Sequence, residues 1–249
     1  MRTVSNLFKE TLASGGRTYK VYASFTLANG DTLELGSEDI WSGSVTLDTA
    51  TSGTGSFDVG AFVMSQVSFT VNNLDGGYSD HYFDGARVRV DLGLVLTDGT
   101  EERVHLGVFN VNRTNAVNSA LIQLTALDNA AKFEKPYSLS TLTYPATIGT
   151  IIRDACSACG VTLNTQTWAG DDMVVQARPE KEYSFRQIIS YAAQACGLFA
   201  RMNNAGYLEL GWYDTSALRS VDDEDTWEGI SAALKAKYHH IKSLFLTKL

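Results

Sequence analysis

The sequence predicts a mainly β protein with an α+β second part: an antiparallel β-barrel over residues 17–135, followed by a small α/β domain over 137–215. Apolar residues recur at period two through most of 17–127, and Gly- and Asn-containing turns separate those runs. From residue 147 onward the period changes to that of amphipathic helices ended by glycine.

Residues 1–16 read as a short arm that Leu7, Phe8 and Leu12 anchor to the body or to a partner; Ser14-Gly15-Gly16 breaks it. Tyr19, Val21, Ala23, Phe25 and Leu27 alternate with polar or smaller residues up to Asn29-Gly30, the strongest short-range hairpin signal. Leu33 and Leu35 resume beyond it, and Val45 and Leu47 mark another strand ahead of a flexible stretch at 49–55. Val67, Phe69 and Val71 share one strand face. Val88, Val90, Leu92 and Leu94 form one row, and Arg87, Arg89 and Asp91 the opposite one. After the turn Thr97-Asp98-Gly99-Thr100, the chain returns through Val104, Leu106, Val108 and Val111, and residues 121–127 form the last strand. Strands this frequent, joined by tight turns, argue for an antiparallel barrel or sandwich. Residues 128–134 suit one or two helical turns, ended by Lys135-Pro136.

In the second part, Thr147 is an N-cap candidate, with Ala146 or Pro145 as alternative starts, for a helix whose recurring apolar residues are Ile148, Ile151, Ile152, Ala155 and Cys159, stopped by Gly160. Ser184 and Gln187 form a capping box for a second helix, lined by Ile188, Ile189, Ala192 and Cys196 and stopped by Gly197. The two helices share the pattern Ile-Ile…Ala-Cys-Gly; either a duplication or the common rules for ending a helix explain it. A hairpin turn at Asn203-Asn204-Ala205-Gly206 follows. Residues 216–249 read as an acidic linker around Asp222-Asp223-Glu224-Asp225, a helix through Trp227, Ile230, Leu234 and Tyr238, and the start of an incomplete second barrel at Ile241, Leu244 and Leu246.

With 28 acidic against 20 basic residues the net charge is −8 and no basic run occurs, so no stable nucleic-acid binding is expected. Three cysteines, all beyond residue 150, do not make a disulfide framework and point to folding in a reducing compartment. Neither a signal peptide nor a membrane span is expected.

Patterns that carry chemistry are few. Cys156 and Cys159 form a C-x-x-C, but near a helix C-terminus, where the dipole favours the thiol, so packing is the expected role. Among the four histidines, His81 lies in a loop with Asp80 and Asp84, His105 is expected to face solvent from a strand, and His239-His240 reads as surface. Asp75, Asp80 and Asp84 lack the ligand spacing of a calcium loop. No cofactor, metal site or catalytic residue is expected. The turn aromatics Trp41, Tyr78, Tyr82 and Phe83 fit either interface anchors or side chains folded back on their own barrel.

Several blocks resemble phage tail hub proteins, the baseplate-hub and tail-tip proteins of the tail-associated lysin type. They are Ile40-Trp41-Ser42-Gly43-Ser44-Val45-Thr46-Leu47-Asp48 with Ser56-Phe57-Asp58-Val59-Gly60-Ala61, then Leu74-Asp75 with Tyr78, then Phe83-Asp84-Gly85-Ala86-Arg87-Val88. Leu106-Gly107-Val108-Phe109-Asn110-Val111 and Ala126-Leu127-Asp128-Asn129 with Phe133 follow. Tyr144-Pro145-Ala146-Thr147, the run from Tyr183 to Ile189, and Gly206-Tyr207-Leu208-Glu209-Leu210 complete the series. No single block is specific; their order over residues 20–215 carries the resemblance. It implies a homotrimeric hub whose barrels form a ring joining the tail-tube proteins to a spike or fibre, with 137–215 as a decorating domain, in a virion tail assembled in the bacterial host cytoplasm. The candidate assembly residues are Leu7, Phe8, Trp41, Phe57, Phe62, Tyr78 and Phe83. Two other readings stay open on the sequence: a cell-wall or receptor-binding tail module, and a peptidoglycan hydrolase using loop carboxylates.

Overall fold

The computed structural model describes residues 4–49 and 58–212; the expectations for 216–249 and for Phe57 lie outside the described residues. The chain is mainly β. Its largest element is a seven-stranded antiparallel sheet of β1 (Thr18–Thr26), β2 (Thr32–Leu35), β3 (Thr46–Asp48), β4 (Gln66–Asn72), β5 (Arg87–Val95), β6 (Glu101–Asn118) and β7 (Leu121–Asp128), in the order β2-β1-β5-β6-β7-β4-β3. Alternation works as the sequence predicts: Val67, Phe69 and Val71 are buried while Gln66, Ser68, Thr70 and Asn72 are not.

The long strand β6 shapes the sheet. Its first half pairs with β5, up to Asn110 opposite Arg87. Its second half pairs with β7, from Phe109 opposite Asp128 to Asn118 opposite Leu121. Register shifts at Val90/Asp91, Val111/Arg113 and Ala116/Asn118 add bend and twist. The sheet therefore curls. Phe25 on β1 and Phe69 on β4 are separated by three strands in the sheet order, yet their ring centroids lie 6.2 Å apart. Phe83, from the loop before β5, closes on Phe25 edge-on at 5.3 Å. Each fully buried phenylalanine contributes roughly 1.5–3 kcal/mol.

The expected closed barrel is corrected here: among the described residues no ladder joins β2 to β3, the two ends of the order. With four and three residues these strands offer few ladder positions, and closure needs terminal strands in register around a full turn. The result is an open, curled sheet with its core on the concave face.

The N-terminal arm is a helix, α1 (Asn6–Ala13), capped by Ser5, whose hydroxyl accepts from the Phe8 amide. Phe8 packs with Leu94 and Leu96, and the Thr97 amide donates to Thr11 Oγ1 at 3.3 Å. After β7 a 3-10 helix, Asn129–Glu134, is capped by Asp128. Helix α2 (Ile148–Cys159) begins at the Thr147 cap and ends at Gly160, whose φ of +63° suits the left-handed end of a helix. Helix α3 (Phe185–Ala195) carries the capping box, with Gln187 N to Ser184 Oγ at 3.2 Å and Ser184 N to Gln187 Oε1 at 2.9 Å. Two short ladders complete the fold: β8 (Ala146–Thr147) with β9 (Val174–Val175), and β10 (Phe199–Met202) with β11 (Leu208–Gly211).

A second apolar core lies among α2, α3 and β10–β11. It recruits Phe62, Ala130 and Phe133 from the segments flanking the sheet strands, with the Phe62 and Phe133 rings 5.7 Å apart. The seam continues in backbone bonds, Gly60 N to Leu198 O at 2.7 Å and Ala200 N to Ala61 O at 2.8 Å.

The cysteines behave as packing residues. Burial, with the neighbouring Cys159, pushes the Cys156 thiol up to about 12, and burial raises Cys159 and Cys196 as well. Alkylation of Cys156 in the folded protein at pH 8 is therefore expected to be slower than that of a free thiol by about a hundredfold or more, because the thiolate is the nucleophile. Mass spectrometry after timed iodoacetamide labelling, with and without denaturant, checks this.

Candidate functional site

Two surfaces stand out once the sheet is built. The first is a rim at the end where β4 hands over to the 73–86 loop. Asn73 is buried and ties the rim together: its amide donates to Ala120 O at 2.7 Å, and its Nδ2 to Ser119 O and Ser79 Oγ, each at 3.0 Å. Its Oδ1 accepts from the Tyr78 amide at 2.8 Å. The segment 39–41 joins the same end of β4, with Asn72 N to Asp39 O at 2.7 Å and Trp41 N to Thr70 O at 2.8 Å. In the segments that meet this frame Leu74 is 72 % exposed, Tyr82 70 %, Val117 54 % and Trp41 49 %.

The candidate residues divide accordingly. Trp41 is exposed on the rim. Tyr78 is half-buried; burial and a hydrogen bond to Asp39 push its phenol up to about 12. Leu7 is half-buried beside the Phe8 cluster. Phe8, Phe62 and Phe83 pack inside the chain, in the arm cluster, the helical core and the sheet core respectively. Phe57 lies outside the described residues. Leu74, Tyr82 and Val117 are not among the sequence candidates for assembly; Tyr82 reads there only as a turn aromatic. The Asn73 bonds bring the 78–79 loop beside the 119–120 turn, a link that no spacing reveals.

The second surface is where the β10–β11 hairpin sits on the convex face of the sheet. His105 does not face solvent as expected. Its Nδ1 lies 2.8 Å from Asp91 Oδ1 and its Nε2 2.8 Å from the carbonyl of Asn204, at the hairpin tip. The Asn204 side chain returns a bond to His105 O at 3.2 Å. Asn129 makes a parallel clasp, donating to Gly206 O at 2.7 Å and accepting from Asn110 Nδ2 at 3.0 Å. A Cβ at Gly206 would sit 2.7 Å from Asn129 Nδ2, so the close approach depends on glycine there.

Clefts flank this hairpin tip on both sides. One, of about 650 Å³, runs past Ser65, Gly107, Asp128, Arg201 and Asn203; the other, of about 500 Å³, past Ser24, Thr26, Arg87, Arg89 and Tyr207. Asp128 is nearly enclosed in the first. Burial raises its carboxyl, while amide bonds from Ser65 and Ala130, each 2.9 Å, pull the other way. A raised folded value means the folded chain holds this proton more tightly than the unfolded one. The stability this group contributes is thus greatest on the acid side of the carboxylate range and is lost as pH rises through the folded value. Asp128→Asn is expected to remove that part of the pH dependence, read from denaturant unfolding at a series of pH values.

Among the described residues no cluster of three or more His, Cys, Asp or Glu is placed to hold a metal ion, and no helix is long and apolar enough to cross a membrane.

No family model matches the sequence, and no curated protein matches it. Solved structures do. The 43 kDa tail protein of prophage MuSo2 from Shewanella oneidensis superposes with a TM-score of 0.49 at 13 % identity, over 80 % of this chain and 57 % of that one. A tail protein from Neisseria meningitidis gives 0.48 at 13 %, over 83 % and 56 %. Prophage tail protein gp18 from Listeria monocytogenes gives 0.48 at 9 %, over 77 % and 50 %. The structural neighbours of this chain thus include prophage tail proteins, and it spans about half the length of each.

Proposed function

We propose that this chain is a non-enzymatic structural component of a phage or phage-like tail tip or baseplate. It assembles with copies of itself, as a homotrimer, into a hub ring between the tail tube and a spike or fibre. Residues 17–135 form the ring part and 137–215 the decorating part. The observation that carries this reading is the open, curled sheet: strands β2 and β3 end the order with no further partner strand among the described residues. Free strand edges are templates for pairing with another chain. The exposed rim of Trp41, Leu74, Tyr82 and Val117 supplies the apolar surface that such an interface buries. Heterologous contacts of this kind close into rings when the rotation returns to its start. The order of hub-like sequence blocks over residues 20–215 supports the same reading.

Placing a charge in the rim tests it. Trp41→Asp combined with Leu74→Asp is expected to weaken self-association about 30-fold or more, the effect of losing an interface anchor worth about 2 kcal/mol. Sedimentation velocity over a concentration series reads this out. An unchanged distribution of species in the double variant counts against the rim as the assembly surface.

A further inference from the structure

The convex face of the sheet carries charges that are mostly paired, within a strand or across strands. Lys20 and Arg103 reach Glu101 at 3.4 and 2.8 Å, and Arg89 reaches Asp91 at 3.1 Å. Nearer the helical core, Arg186 pairs with Glu134 and Arg201 with Glu209. Against that background Arg87 and its neighbours have no ion-pair partner among the described residues, as is also the case for the isolated Arg113 further along β6. Arg87 lies in the cross-strand row Thr32–Thr26–Arg87–Asn110, which contains no carboxylate. Asn110 bonds Asn129, the first residue of the 3-10 helix. In a 3-10 helix side chains three apart eclipse, so Lys132 stands over Asn129 on the same face, and Lys135, the C-cap, continues that line. Arg87, Lys132 and Lys135 make no ion pair with any described carboxylate at 4.0 Å or closer. In a chain with eight more acidic than basic residues, three unpaired cations in one row stand out.

We propose that this row, with the adjoining 500 Å³ cleft, is a docking site for an acidic peptide segment of a protein partner. The cleft brings the hydroxyl residues Thr26 and Thr32 beside Arg87, while the Ser24 hydroxyl is already given to Glu34, with Tyr207 and Ala205 of the hairpin as the far wall. Arginine takes a carboxylate through two parallel N–H bonds, and neighbouring hydroxyls complete its coordination. The row is held in place from behind: the Asn110–Asn129–Gly206 clasp fixes the 3-10 helix against both sheet and hairpin. Mutual repulsion adds to the preference for an anion. Lys132 has its ammonium disfavoured first by burial and then by Arg87 and Lys135, and a bound carboxylate relieves the repulsion. A short segment matches the size of a 500 Å³ cleft beside a row of three cations, and no longer basic track continues from it in the sequence. Glu34, hydrogen-bonded by Ser24 on the cleft wall, further narrows the site to a segment that approaches from the Arg87 side.

The inference stands on the geometry of this face and does not require a ring. Its test uses the full chain and a fluorescein-labelled hexaglutamate peptide, followed by fluorescence anisotropy. Alongside it run a single-stranded oligonucleotide of equal charge and the variant Arg87→Gln/Lys132→Gln/Lys135→Gln, with Lys9→Gln as a control and circular dichroism to verify folding. The peptide is expected to bind the wild type and the control alike. The triple variant should lose about 10- to 100-fold in affinity, and raised salt should weaken wild-type binding in the same direction. Absence of peptide binding, or equal binding by the triple variant, overturns the site. Tighter binding of the oligonucleotide than of the peptide overturns the assignment to a protein partner. None of these outcomes bears on the self-association measured for the rim variants, so the two readings fail separately.

Discussion

Phe69→Ala is expected to destabilise the sheet by about 3–5 kcal/mol, enough to lower the melting temperature by about 10 °C or more. Phe69 is fully buried on β4, and its ring meets Phe25 of β1 across the inside of the curl. Removing it leaves a cavity between two strands that share no hydrogen bonds, so backbone pairing on either side cannot readily collapse to fill it. Differential scanning calorimetry of wild type and variant measures the loss. Phe69→Leu keeps most of the volume and is expected to recover more than half of it. A flat sheet with independent faces would lose much less, so the result also reports on the curl.

Gly60→Ala is expected to cost a comparable amount, about 2–5 kcal/mol, by a different route. Gly60 has φ +85°, a conformation that disfavours any side chain, and a Cβ there would lie 2.6 Å from Gln194 Cβ and 2.8 Å from the backbone carbonyl of Ser190 on α3. The neighbouring bonds are close: Ser190 Oγ donates to Gly60 O at 2.6 Å and Gly60 N to Leu198 O at 2.7 Å. The clash falls on a helix backbone, which cannot move without disturbing the seam between the two cores. Hydrogen exchange should localise the damage. The Ala200 amide, which donates to Ala61 O, is expected to lose protection before the amides of β4 and β7 do.

How far the fold was legible follows from which signals are local. The alternation in β1, β4 and β5, the Asn29-Gly30 turn, the Thr147 and Ser184 caps and the Gly160 stop all act within a few residues, and each appears where the sequence placed it. The second half of β6 is not legible in the sequence, because residues 112–118 are mostly polar on both faces and period two leaves no mark. Curl and closure depend on register between strands far apart in sequence, which is why an open sheet stands in place of the expected barrel. Phe62 and Phe83 lie in segments that alternation marks as turns, and only the tertiary fold shows that they turn inward. His105 sits in a polar row with Arg103, and nothing near it announces a hairpin tip arriving from 99 residues downstream. The same limit applies to the rim: Trp41 is legible as a turn aromatic, whereas the Asn73 bonds that join the 78–79 loop to the 119–120 turn leave no mark in the sequence.

The central claim is that this chain works by joining copies of itself through the rim and free edges of its sheet. Negative-stain imaging of the purified wild-type protein, with light scattering on the same sample, tests it most directly. Closed rings with a central opening, and a mass several times that of one chain, are the predicted result. Particles of single-chain mass at every concentration, with no ring among them, would contradict it.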